Sequence, residues 1–271
     1  MVISNMGMLS EKLKSLVANK KKALIAYVVA GDPEPRATVP LMHRLVESGV
    51  DVIELGVPFS DPEAEGPVIQ LAHERALAHN VSLTNCLEMA AEFRQLDKVT
   101  PIVLMGYLNP VETMGYENFA AKAAGSGVNG TIIVNLPPEE AVDMSALLEA
   151  NGIDPVYLLA PTTTDERAKM ICEASKGFVY YVSLKGTTGA ANLDIDDVTE
   201  KMARFKKLSR LPIMVGFGVK DGPGARAVAQ VADGAVVGSA IVKLMAEHQG
   251  DLKKLNHEVG TFVSELRTAI D

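Results

Sequence analysis

Short apolar runs recur along the chain, and each gives way to a longer stretch in which apolar residues return every three or four positions. The runs predict strands buried on both faces, as in a parallel sheet, and the spaced stretches predict amphipathic helices laid over it. Residues 23–30 are continuous in apolar side chains and end at Gly31-Asp32-Pro33, which makes them strand one. Strand two follows at 52–57, and further strands begin near Pro101, Gly130, Asp154, Gly177, Leu211 and Asp233. Helices are read between them: one with Pro40 near its first turn and Leu41, Leu45 and Val46 inward, others at 68–80, 83–95 and 116–124. Pro137-Pro138-Glu139-Glu140 reads as a proline-started helix, and Thr162-Thr163-Thr164-Asp165 as the capped start of another. Before all of these, residues 9–17 place Leu9, Leu13, Leu16 and Val17 on one side of a helix that Ser10 is positioned to cap. Eight strand-then-helix units predict a single (β/α)8 TIM barrel over residues 1–271, with an extra N-terminal helix plugging one end. A doubly wound open sheet is the alternative.

Strand two breaks its own pattern. Side chains alternate across a strand, so Glu54 shares a face with Val52 and Gly56, and in a sheet covered on both sides that carboxylate lies inside the fold. A buried carboxylate is costly unless it is paired or neutralised, so its presence points to chemistry. The loop that follows, PFSDPEAEGP, adds Asp61, Glu63 and Glu65 at the carboxyl end of a strand, where barrel enzymes carry their active sites.

Composition narrows the function. With 271 residues, 48% apolar, the chain can bury a large core, and a formal charge of −8 argues against a general nucleic-acid surface. No run reaches the roughly 20 apolar residues of a membrane span. The opening segment lacks the basic front of a signal peptide, and Cys86 and Cys172 show no metal or redox spacing. A cytoplasmic protein with reduced cysteines is therefore expected. His43, His73, His79, His248 and His257 fall in helical stretches without metal-ligand spacing and are read as surface or helix-end residues.

Late in the chain, Gly216-Phe217-Gly218 ends strand seven and Gly238-Ser239 ends strand eight where a helix begins. Bare N–H groups at a helix start bind phosphate, and loops at these two barrel positions commonly form that site. The glycines at 186 and 189, after strand six, supply a third wall or a lid.

ELGVPFSDPEAEGPVIQ, the GDP after strand one, VSLKGTTGA, GFGV and GSAIVK together resemble the tryptophan synthase α-subunit family over essentially the whole chain. The resemblance implies cleavage of indole-3-glycerol phosphate to indole and glyceraldehyde 3-phosphate, without cofactor or metal in this chain. It also implies a β-subunit partner that uses pyridoxal phosphate, in an α2β2 assembly. Carried over, the catalytic residues are Glu54, Glu65 and Tyr180, and the substrate-binding residues are Tyr27, Met105 and Leu158 in the indole pocket, with Phe217 near the phosphate end. Phosphate contacts fall on Gly189, Gly218, Gly238 and Ser239, and the partner interface on Pro58, Asp61, Asn109 and Asn135. Glu65 and Asn135 depart from the family, which usually has aspartate at the first and often at the second. Two other readings are a Schiff-base phosphosugar aldolase using Lys185, and a weakly active regulatory subunit of a β partner.

Overall fold

Every strand pairing is parallel in the computed structural model, which describes residues 7–183, 195–216 and 218–271. The strands are β1 (Ala23–Val29), β2 (Val52–Gly56), β3 (Ile102–Gly106), β4 (Gly130–Ile133), β5 (Asp154–Pro155), β6 (Leu158–Leu159), β7 (Val179–Val182), β8 (Ile213–Gly216) and β9 (Gly234–Val237). Their order is β5-β4-β3-β2-β1-β9-β8-β7-β6. The two ends of that order, β5 and β6, are halves of the run read as strand five. Val156 N–H donates to Thr131 on the β4 side at 2.9 Å, and the Tyr157 carbonyl accepts from Tyr180 on the β7 side at 3.1 Å. One strand thus bonds to one neighbour at its start and to the other at its end. The sheet closes into a (β/α)8 barrel, and the open-sheet alternative is excluded.

Register decides which side chains face the barrel interior. Tyr27 lies beside Glu54, Glu54 beside Val103, Gly56 beside Met105, and Leu158 beside Tyr180. Parallel neighbours share a face, so these residues line the barrel interior in successive levels, with Gly56 and Met105 one level nearer the carboxyl ends than Tyr27, Glu54 and Val103. The opposite end is plugged by α1 (Met8–Ala18), as expected. A Cβ on Gly130, which starts β4, or on Gly177, two residues before β7, would come within 2.8 Å of the Leu9 side chain, so glycine at both positions admits the plug.

Several boundaries differ from the sequence reading. Gly7, at φ 80°, is the N-cap of α1, while Ser10 donates to Asp154 Oδ2 at 2.9 Å and ties the plug to β5. Val17 is exposed, because α1 buries a narrower face than its apolar spacing offers. The helix α2 (Pro35–Glu47) starts with Pro35, which leaves Pro40 inside it on the exposed side, where the carbonyl it cannot bond meets solvent. Pro137-Pro138-Glu139-Glu140 makes successive turns, with Glu140 N–H bonded to Pro137 O and Ala141 N–H to Pro138 O, and α7 (Val142–Ala150) starts after them. The Thr164 cap of α8 (Asp165–Ala174) is present, its hydroxyl accepting from Arg167 N–H. The remaining helices are α3 (Pro67–Ala78), α4 (Leu83–Phe93), α5 (Leu108–Met114), α6 (Tyr116–Gly125), α9 (Ile195–Phe205), α10 (Gly222–Val231), α11 (Ser239–Glu247) and α12 (Leu252–Ile270). No helix among the described residues is long and apolar enough to cross a membrane.

Candidate active site

Glu54, on β2, is 1% exposed, and neither of its carboxyl oxygens has a hydrogen-bond partner among the described residues. Burial, and then the charge of Glu65, raise its pKa to about 8. Glu65 lies on the loop between β2 and α3, is 7% exposed, and is raised to about 7 by burial. Two carboxyl groups at this end of the barrel are therefore shifted toward neutrality, where a carboxyl can both give up a proton and take one back.

Two tyrosines flank them. Tyr180, on β7, feels Glu54 and then Glu65, and Tyr27, on β1, feels Glu65 and then Glu54. Burial holds both phenols well above their ordinary pKa, so each remains a hydrogen-bond donor. Room for both comes from glycine: the Tyr27 hydroxyl stands 2.5 Å from where a Cβ on Gly56 would lie, and the Tyr180 hydroxyl takes the corresponding space at Gly216.

The acidic loop is pinned rather than free. Phe59 stacks on Tyr107 with centroids 5.1 Å apart, and the Tyr107 hydroxyl accepts from Ala64 N–H at 3.1 Å. Gln70 on α3 donates to the Glu65 carbonyl at 2.9 Å, and Phe59 N–H donates to His73 Nδ1 at 3.0 Å. Of the loop's acids, Glu63 and Asp61 are exposed, which leaves Glu65 as the one turned inward.

His73 corrects an expectation. It is 2% exposed rather than at the surface, on the α3 face that also buries Ile69, Ala72 and Ala76. Its place at the i+4 position of that apolar stripe was the available signal. Tyr107 and Gln70 were also missed: Tyr107 follows a different strand, 43 residues from the Ala64 N–H it accepts from, and Gln70, only five residues past Glu65, bonds a backbone carbonyl that apolar patterning does not reveal.

Met105 is buried and Leu158 half-buried in the barrel interior. After β8, Gly218 has φ 83°, a left-handed conformation that favours glycine, and after β9 α11 starts at Ser239 with Gly238 as its N-cap and no side-chain cap bond. A Cβ on Gly238 would press on the Tyr27 ring at 3.2 Å. Phe217, Gly189 and Lys185 lie outside the described residues. Among the interface candidates Asp61, Asn109 and Asn135 are exposed, whereas Pro58 is buried and shapes the loop from beneath. Asn135 Oδ1 accepts from Leu108 N–H at 2.8 Å, supplying an acceptor to the first turn of α5.

A parallel barrel that holds two buried carboxyl groups at the carboxyl ends of its strands is an enzyme equipped for acid–base chemistry. A family model described as tryptophan synthase alpha chain matches residues 13–271, and the chain belongs to that family. It is a carbon–carbon lyase that cleaves indole-3-glycerol phosphate to indole and glyceraldehyde 3-phosphate. The tryptophan synthase alpha chain of Thioalkalivibrio sulfidiphilus is 54% identical over 266 residues, which span 98% of this chain and 100% of that one. A solved tryptophan synthase subunit alpha from Legionella pneumophila str. Paris has a TM-score of 0.91 at 45% identity, covering 97% of this chain and 98% of its own. A chain from the tryptophan synthase α2β2 complex of Pyrococcus furiosus has a TM-score of 0.83 at 40% identity, covering 91% and 98%.

Proposed function

We propose that Glu54 and Glu65 divide the acid–base work of this cleavage. Indole C3 must gain a proton, the hydroxyl on the adjacent side-chain carbon must lose one, and the bond between these carbons then breaks. Its electron pair returns to the ring, and the side-chain carbon leaves as the aldehyde. Protonation of C3 places positive charge on the ring nitrogen until the bond breaks. Glu54, neutral near pH 7, delivers the first proton; its carboxylate then takes the second, which restores the starting state. The ionised Glu65 accepts the ring N–H and balances the transient charge. Tyr180 donates from the far side of the pocket. Tyr27, Met105 and Leu158 enclose the indole, Phe217 binds substrate near the phosphate end, and Gly189, Gly218, Gly238 and Ser239 hold the phosphate.

The observation that carries this reading is the partnerless buried carboxyl of Glu54. Glu54→Gln is expected to lower kcat by about 10²–10⁴-fold while KM changes little. Indole release is measured for the isolated chain and again with a β subunit added, and retained turnover removes Glu54 from the mechanism.

The partner is a tryptophan synthase β subunit in an α2β2 assembly, an arrangement supported by the similar tryptophan synthase α2β2 complex of Pyrococcus furiosus. Asp61, Asn109 and Asn135 present the exposed loop surface for it. Pyridoxal phosphate belongs to that partner. The chain is read as one barrel domain over residues 1–271, working in the cytoplasm, where its free and buried Cys86 and Cys172 stay reduced.

A further inference from the structure

His73 has a defined bonding state. Its Nδ1 accepts from Phe59 N–H at 3.0 Å, and its Nε2 lies 3.3 Å from the Tyr27 hydroxyl. A neutral imidazole whose Nδ1 is an acceptor carries its proton on Nε2, so the ring donates to Tyr27 oxygen. Burial lowers the His73 pKa to about 4, which keeps the ring in that neutral form across the working pH range. A phenol proton prefers the plane of its ring and has two orientations there. The one facing His73 is blocked by the Nε2 proton. The Tyr27 proton therefore takes the other orientation, away from His73, on a side chain that shares its face with Glu54 and feels the charges of Glu65 and Glu54.

We propose that His73 is a positioning residue that sets the direction of the Tyr27 hydroxyl, so that Tyr27 donates into the barrel mouth and favours the ionised form of the carboxyl pair. Resting on the assignment of Glu54 and Glu65 as the reacting carboxyls, the inference adds a device that decides how easily the pair gives up one proton. The groups facing that pair are Tyr27 from β1, Tyr180 from β7, Tyr107 after β3 and His73 from α3. Glu63 on the loop is exposed, and Arg75 on α3 is paired to Asp32 at 2.6 Å.

The acid limb of the kcat/KM profile reports the carboxyl that must be ionised. Tyr27→Phe is expected to move that limb up by roughly half a pKa unit, because it removes a phenol dipole that acts on the pair through space rather than by a direct hydrogen bond. His73→Phe is expected to move it the same way in the parent and not at all in a Tyr27→Phe background. His73→Gln, whose amide nitrogen reaches the Nε2 position, is expected to return it toward the parent value. An unmoved limb, or equal movement in both backgrounds, overturns the proposal, since equal movement means that His73 acts through the Phe59 loop instead. Nitrogen-15 spectra of the His73 ring give a reading independent of turnover: the Nε2–H tautomer is expected at pH 7, and an Nδ1–H tautomer overturns the proposal. If Glu54→Gln and Glu65→Ala remain active, the carboxyl assignment has failed. If they are inactive and the His73 results are negative, only the positioning role has failed.

Discussion

Burial dominates the behaviour of Glu54, and this couples its chemistry to stability. Its pKa is raised from 4.5 to about 8, so the folded protein holds the proton more tightly than the unfolded chain does. The associated stabilisation is fully present below pH 4.5 and is lost as pH rises through about 8. Glu54→Gln keeps a neutral group at all pH values. It should therefore gain on the parent in urea denaturation between pH 5 and pH 9, by up to a few kcal/mol at the upper end. A constant difference across that range would mean that Glu54 titrates normally in the fold. Glu65 presents a different question, since the family's usual aspartate is one methylene shorter. Its carbonyl is held by Gln70, and burial distinguishes its side chain from that of Glu63. Glu65→Asp should retain substantial indole formation, Glu65→Ala should lose about 3 kcal/mol of transition-state stabilisation, and Glu63→Ala should be nearly silent. An inactive Glu63→Ala beside an active Glu65→Ala would reverse the assignment. At Asn135 the bond to Leu108 N–H shows what its departure from aspartate preserves: the acceptor stays and the charge goes.

The loop between β2 and α3 is the element through which these residues are brought together. Strand alternation made Glu54 legible in the sequence, but the choice of Glu65 over Glu63 in this loop came from the family resemblance, since loop spacing alone leaves either free to turn inward. The loop's anchors were not legible, because Tyr107 follows another strand and His73 looked like one more helical histidine. Tyr107→Phe removes the acceptor for Ala64 N–H and leaves the ring stacked on Phe59. It is expected to lower kcat/KM by roughly fivefold, about one hydrogen bond, with little change in the denaturation midpoint. An unchanged kcat/KM would show that the stack alone holds the loop. The same contrast explains the boundary errors elsewhere. Apolar periodicity located the helices, but whether Ser10 caps α1 depended on Asp154, far along the chain. Likewise Pro40 marked a helix without revealing that Pro35 already began it.

For the whole molecule, the count of strand-helix units was enough to read a barrel, and the glycines at the last two strand ends carry the proposed anion site. The split of strand five was not legible, because its two halves differ only in which neighbour they bond. The phosphate assignment can be tested without disturbing the barrel: Ser239→Asp adds a negative charge at the exposed start of α11, which suits the helix but repels a phosphate. KM for indole-3-glycerol phosphate should rise roughly tenfold or more, with stability unchanged or slightly higher. An equal loss in affinity for free indole would place the phosphate elsewhere. The seam of the barrel joins β1 to β9, with Ala23 N–H bonded to Asp233 O at 3.0 Å, and the α1 plug rests on Gly130 and Gly177. During synthesis β1 therefore waits for a partner made some 200 residues later. A nascent chain meanwhile exposes an unpaired apolar edge and an unseated Leu9, so this topology favours late, highly non-local closure and leaves incomplete chains prone to aggregate.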